Sequence, residues 1–168
     1  LKAQPIRIRF LVAPRAQRGK LLSGGDKGVE VHAGAFLHNH EIVLDSALLE
    51  QPRELGRILV HEVFHFVWWK LGNQIRRSFE ELLRDEIRRG VHGELGWSAE
   101  MRKQALSLGD VRHRTKRWRE YVCESFCDSA AWLAVGSRLH AEITLDCADR
   151  QRRRHWFYRM MPGSGRPL

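Results

Sequence analysis

The chain has 168 residues, 43 % of them hydrophobic, enough for one domain spanning 1–168 with a real core. No apolar run approaches the ~20 residues a membrane span requires, so a soluble protein is expected. A formal net charge of +9 calls for an acidic partner or a tolerance of one, and three cysteines are too few and odd in number for a disulfide framework. Sparse cysteine leans towards a reducing, cytoplasmic compartment, although the chain opens on Leu1 rather than Met, as if an upstream segment had been trimmed.

In chain order, Ile6 to Val12 alternates apolar and basic residues and reads as a strand. A Gly-rich turn at Ser23-Gly24-Gly25-Asp26 lacks the Lys-Ser/Thr continuation of a phosphate-binding loop. Strands at Val29–His32, Gly34–Leu37 and His40–Leu44 then complete a small sheet of three or four strands. After Pro52 the pattern is helical. Residues 53–71 form one helix, with Pro52 near its start and Gly72 after its end.

Ser78-Phe79-Glu80-Glu81 has the form of a capping box opening a helix to about Arg89, which Gly90, Gly93 and Gly96 break. Ser98 is expected to cap a short helix through Leu108, ended by Gly109-Asp110. The stretch from Asn73 to about Lys116 then stands as an insertion before a helix over 117–135. One or two helices over 138–160 follow, with a disordered tail at 162–168.

The 53–71 helix carries the one segment that names a chemistry, His61-Glu62-Val63-Phe64-His65. Four residues of helix turn by about 400°, so both imidazoles leave one face a turn apart and can converge on one metal ion. Glu62 is rotated away from ligation and suits a general base. Two histidines and a glutamate on an apolar helix are costly unless something satisfies them, and Zn2+ does so. Satisfied core histidines are the alternative.

Zinc held by two histidines needs a third protein ligand. Glu124 and Asp128 lie four apart in a second apolar stretch, on one helical face. Glu124 can complete the zinc shell, and Asp128 can accept the N–H of a ligating histidine. Cys123 and Cys127 are offset by about 100° from these carboxylates and read as buried thiols packing the core.

H-E-x-x-H followed by a helix bearing E-x-x-x-D resembles the gluzincin, or thermolysin-like, zinc metallopeptidases. The resemblance implies an α+β zincin-like fold: a small, mostly antiparallel sheet packed on the HExxH helix, followed by a largely helical C-terminal part. It makes His61, His65 and Glu124 the metal ligands, Glu62 the catalytic base and Asp128 the support of a ligating histidine. It also implies that Gly34, Ala35 and Phe36 lie on the edge strand that lines the cleft, where an extended peptide or protein substrate could add as a further strand. Hydrolysis would then proceed by attack of a metal-activated water on the peptide carbonyl. The gap of 59 residues from His65 to Glu124 exceeds what compact members need, and the oxyanion-stabilising group has no motif. Tyr121, His113, His155 and Tyr158 are all open for that role.

Two rivals stand beside the peptidase. The runs Arg112–Arg119 and Arg150–Trp156 mix guanidinium with aromatic rings, as nucleic-acid binding through phosphate contact and base stacking would require. Solvated helical faces are the plainer alternative, and no nucleic-acid-binding motif accompanies the runs. A gluzincin-like sensor or regulatory module with little proteolysis would use them. A structural zinc closed by a further ligand such as Cys123 is the other rival.

Overall fold

Glu41-Ile42-Val43-Leu44-Asp45 is buried at every position, as a strand covered on both faces and flanked on both edges must be. In the computed structural model, which describes residues 4–17, 20–23, 28–136 and 140–161, this segment is indeed the middle of a sheet. In chain order the strands are β1 (Arg7–Leu11), β2 (Pro14–Gln17), β3 (Lys20–Ser23), β4 (Val29–Glu30), β5 (Ala33–Phe36) and β6 (Glu41–Asp45). They form two three-stranded sheets, ordered β1-β6-β5 and β3-β2-β4, rather than one sheet of three or four. Among the described residues only β1 with β6 is parallel; β2 with β3, β2 with β4 and β5 with β6 are antiparallel. Arg7 and Arg9 of β1 both pair with the Glu41 carboxylate, at 3.2 and 3.4 Å.

The helices are α1 (Pro52–Lys70), α2 (Asn73–Arg88), α3 (Trp97–Gln104), α4 (Leu108–His113), α5 (Lys116–Val135) and α6 (Cys147–Met160). The architecture is therefore α+β and mostly helical. None of these helices is long and apolar enough to cross a membrane. The Gly24-Gly25-Asp26 turn and the 162–168 tail lie outside the described residues.

The chain divides into two compact units, Leu1–Trp69 and Lys70–Leu168. In the N-terminal unit, Asp45 caps a short turn over Ser46–Glu50 by accepting the Ala47 N–H, and Pro52 then occupies the first position of α1, where its missing N–H costs nothing. Ile58 and Phe66 of α1 pack on Ile42 and Leu44 of β6 and on Leu48, with Leu55, Leu59, Val63, Ala33 and Ala35 around them. Each such Leu, Ile or Phe contributes about 1.5–3 kcal/mol when fully buried. The expected packing of sheet on the HExxH helix is thus present, and it holds that helix by the face bearing Ile58 and Phe66.

In the C-terminal unit, Phe79 of α2, Phe126 of α5 and Trp156 and Phe157 of α6 form an aromatic core, with ring centroids 4.8 to 6.2 Å apart. Four helix starts differ from expectation. α2 begins at Asn73, so Ser78 is internal, where its hydroxyl accepts the Trp156 indole N–H at 2.9 Å. α3 is capped by Gly96, leaving Ser98 in its first turn. The reciprocal capping box belongs to Ser107 and Asp110, opening α4 where a helix end was expected. α6 starts only at Cys147, because Asp146 accepts the Asp149 N–H and sets the N-terminus there.

Candidate metal and catalytic residues

His61 and His65 leave α1 four residues apart and meet: their Nε2 atoms are 3.2 Å from each other, with ring centroids at 5.0 Å. Two nitrogens bound to tetrahedral zinc at about 2.0–2.1 Å are about 3.3 Å apart, so the pair already has the spacing of one edge of such a site. A direct N–H···N bond between a donor and an acceptor tautomer would have a similar length. Glu62, on the same helix, is buried, at 8 % exposure. A carboxylate and two imidazoles within one helical turn is an expensive grouping for an apolar helix, and a divalent cation offsets that cost.

Glu124 and Asp128 lie on α5 as expected, one turn apart. Both Glu124 oxygens are engaged from α3: Ser98 donates to Oε2 at 2.9 Å, and Arg102 Nη2 lies 3.3 Å from Oε1. Arg102 also donates to Ser98 Oγ at 2.7 Å, which closes a three-membered network. Asp128 is almost fully buried, and its carboxylate fills the space over Gly96, where an added Cβ would sit 2.4 Å from it. Between them, Cys127 is fully buried, and burial together with its bond to the Cys123 side chain pushes its thiol well above the usual range. The expectation of buried thiols thus holds for Cys127, while Cys123 is half-buried.

Gly34, Ala35 and Phe36 all fall on β5, which ends the order β1-β6-β5 and is therefore an edge strand of its sheet. Of the four oxyanion candidates, Tyr121 is committed elsewhere. It is wholly buried and its hydroxyl donates to Glu94 Oε1 at 2.6 Å; burial and the Glu94 charge push its pKa well up. His113 is exposed in the last turn of α4, and His155 and Tyr158 are exposed on α6.

The two basic runs lose their tryptophans as base-stacking surfaces: Trp118 is 0 % and Trp156 4 % exposed. Arg153, in the middle of the second run, is 0 % exposed as well. Its guanidinium donates to both oxygens of Glu86, at 3.0 and 2.6 Å, and to both of Glu94, at 2.9 and 2.7 Å. Burial alone would raise the Glu94 pKa, but Arg153, Lys103 and the Tyr121 hydroxyl hold it at about 2. Nothing in the local sequence announces this cluster except one offset: Asp149, Arg153, Trp156 and Phe157 share helical spacing, so the arginine lies on the apolar stripe.

No protein-family model, no curated protein and no solved structure matches the chain. The reading of function therefore rests on the residues themselves.

Proposed function

We propose that the chain is a zinc-dependent metallopeptidase in which His61, His65 and Glu124 hold the ion, Glu62 is the general base and Asp128 orients a ligating histidine. The observation that carries this reading is the 3.2 Å approach of the two Nε2 atoms beside the buried Glu62 on α1. Zinc bound there would supply a Lewis acid for the peptide carbonyl and bring the pKa of a water towards 7. Glu62 takes the proton from the attacking water and passes it to the leaving amine nitrogen. β5, as an edge strand, offers its main-chain groups around Gly34, Ala35 and Phe36 to an extended peptide or protein substrate.

A second reading changes the third ligand. Because Glu124 is held by Ser98 and Arg102, Cys127 on the same helix is the alternative donor. Thiolate is a good zinc ligand, and metal binding deprotonates a thiol that burial otherwise keeps protonated.

Glu62→Gln should keep one zinc per chain by elemental analysis while hydrolysis of an unfolded protein substrate falls on the order of 10²–10⁴-fold. Unchanged turnover in that variant refutes the mechanism. His65→Ala should lose the metal and destabilise the fold. Glu124→Ala and Cys127→Ser separate the ligand sets: the true ligand's variant loses zinc, and a thiolate-to-metal charge-transfer band in the cobalt-substituted protein selects Cys127.

A further inference from the structure

The two units share the charge unequally. Lys70–Leu168 holds 20 Lys and Arg against 13 Asp and Glu, so +7 of the +9 lies in the C-terminal unit. Within it, an open groove of about 660 Å³ runs along α6, lined by Arg152, Arg154, His155, Tyr158 and Arg159, with Leu82 from α2.

Few carboxylates answer these cations. Asp85 is shared by Arg88, Arg89 and Arg152, and Asp149 by Arg89 and Arg152, so three guanidinium groups already use two acids. Among the described residues no carboxylate lies within ion-pair distance of Arg154 or Arg159. Arg154 is half-buried, its guanidinium 5.7 Å from the Trp132 ring centroid and 5.9 Å from that of Tyr158, and its Nε is buried without a hydrogen-bond partner. A cation held by rings rather than by an acid is pre-oriented and keeps its charge for an incoming anion.

We propose that this face of α6 binds the phosphodiester backbone of a single-stranded nucleic acid, with Tyr158 as a stacking surface for a base. The rings decide between anionic polymers. Tyr158 is 46 % exposed and His155 lies three residues before it on the same helical face, between Arg152 and Arg159. Alternating planar cations and exposed rings suit a strand whose charges alternate with flat bases. An acidic peptide has no use for the rings. A membrane surface needs protruding apolar side chains to insert, and the groove's apolar lining beside Tyr158 is Leu82, Ala148 and Trp156, the last only 4 % exposed.

The experiment is fluorescence anisotropy of the full chain with a labelled single-stranded DNA of about a dozen nucleotides, across a salt series. Arg159→Ala and Tyr158→Ala should each weaken binding about tenfold. Arg159→Ala should also flatten the log–log salt dependence by about 0.7, whereas Tyr158→Ala should leave that slope unchanged. Arg117→Ala/Arg119→Ala, in the other basic run, should change affinity much less. The proposal is overturned if the chain does not bind, if the α6 variants bind like the parent, or if Tyr158→Ala is silent, which leaves only a general cationic surface. Competition by polyglutamate or by anionic phospholipid vesicles at equal charge as effective as unlabelled DNA also overturns it. Near-ultraviolet circular dichroism of each variant separates loss of binding from loss of fold. None of these outcomes depends on the peptidase reading, since each reads nucleic-acid binding and no variant alters His61, Glu62, His65, Glu124 or Asp128.

Discussion

Two polar clusters, one in each unit, are built in opposite ways. On α1, His61, Glu62 and His65 bring two imidazoles and a carboxylate together within five consecutive residues. In the C-terminal unit, Glu86 and Glu94 meet Arg153 across sequence separations of 67 and 59 residues, and Lys103 Nζ approaches Glu94 at 3.4 Å. The second cluster is nearly neutral and its hydrogen bonds are internal, so it needs no ligand. For the first, a metal is the proposed ligand. Burial differs too: Glu86, Glu94 and Arg153 are wholly buried, whereas His61 and His65 are half-buried beside a buried Glu62.

The largest test of that contrast removes the built-in cation. Arg153→Met roughly keeps the volume but leaves Glu86 and Glu94 in the interior with only Lys103, 3.4 Å from Glu94, as counter-charge. A loss of about 3–5 kcal/mol is expected from chemical denaturation. If the cluster were incidental, the loss would stay near the ~1 kcal/mol of an average substitution. Replacing Arg153, Glu86 and Glu94 together with apolar residues should recover most of the stability, because the penalty lies in the unpaired charges. No comparable rescue exists for the α1 cluster, whose proposed partner is a metal.

Acid probes the same contrast without mutation. Glu94 has a folded pKa of about 2 against an ordinary value of 4.5, so the unfolded state binds its proton first as pH falls. A depressed carboxylate of this kind stabilises the fold fully above the unfolded value and loses that contribution as pH drops from about 4.5 to about 2. Thermal midpoints should decline through that window, and Glu94→Gln should flatten the decline. A decline of equal steepness in Glu94→Gln would assign acid sensitivity to other carboxylates, of which Asp110, also held at about 2 by the Thr115 and Ser107 hydroxyls, is one.

Legibility in the sequence follows the range of the interactions. α1 is legible to within a residue because its periodicity, Pro52 and Gly72 are all local signals, and β6, expected at His40–Leu44, because Ile42-Val43-Leu44 is a short β-branched apolar run. The capping box stands at Ser107 rather than at Ser78 for a definite reason. Residues three apart share a helical face everywhere, so Ser78 followed by Glu81 matches the pattern inside α2 as well as at a helix start. Only the backbone distinguishes them: Ser107 is extended, with φ −99° and ψ 160°, and makes both bonds with Asp110. The Glu86–Glu94–Arg153 cluster was hidden because Arg153 sits in a run of arginines that composition marks as solvent-facing. Its burial comes from α2, α5 and the Glu94 loop, none of them adjacent in sequence.

The smallest predicted effect concerns a glycine whose role the sequence suggested wrongly. Gly90, Gly93 and Gly96 read together as helix breakers, and Gly90, at φ +70°, does occupy the left-handed region with open space around it. Gly96 does not: at φ −169° and ψ 157° its backbone suits any residue. It is glycine for room, since a Cβ would lie 2.4 Å from the Asp128 carboxylate. Gly96→Ala should therefore cost about 1–3 kcal/mol by forcing Asp128 or the start of α3 to shift. Because the clash needs both side chains, Gly96→Ala/Asp128→Ala should show a non-additive, partly restored thermal midpoint, whereas Gly90→Ala should combine additively with Asp128→Ala. If Asp128 also orients a ligating histidine, Gly96→Ala should lower zinc affinity on the order of 10–100-fold in a chelator competition, and Gly90→Ala should leave it unchanged. A Gly96→Ala protein with unaltered midpoint and unaltered zinc affinity would show that the carboxylate is free to move, and would remove Asp128 from the proposed site.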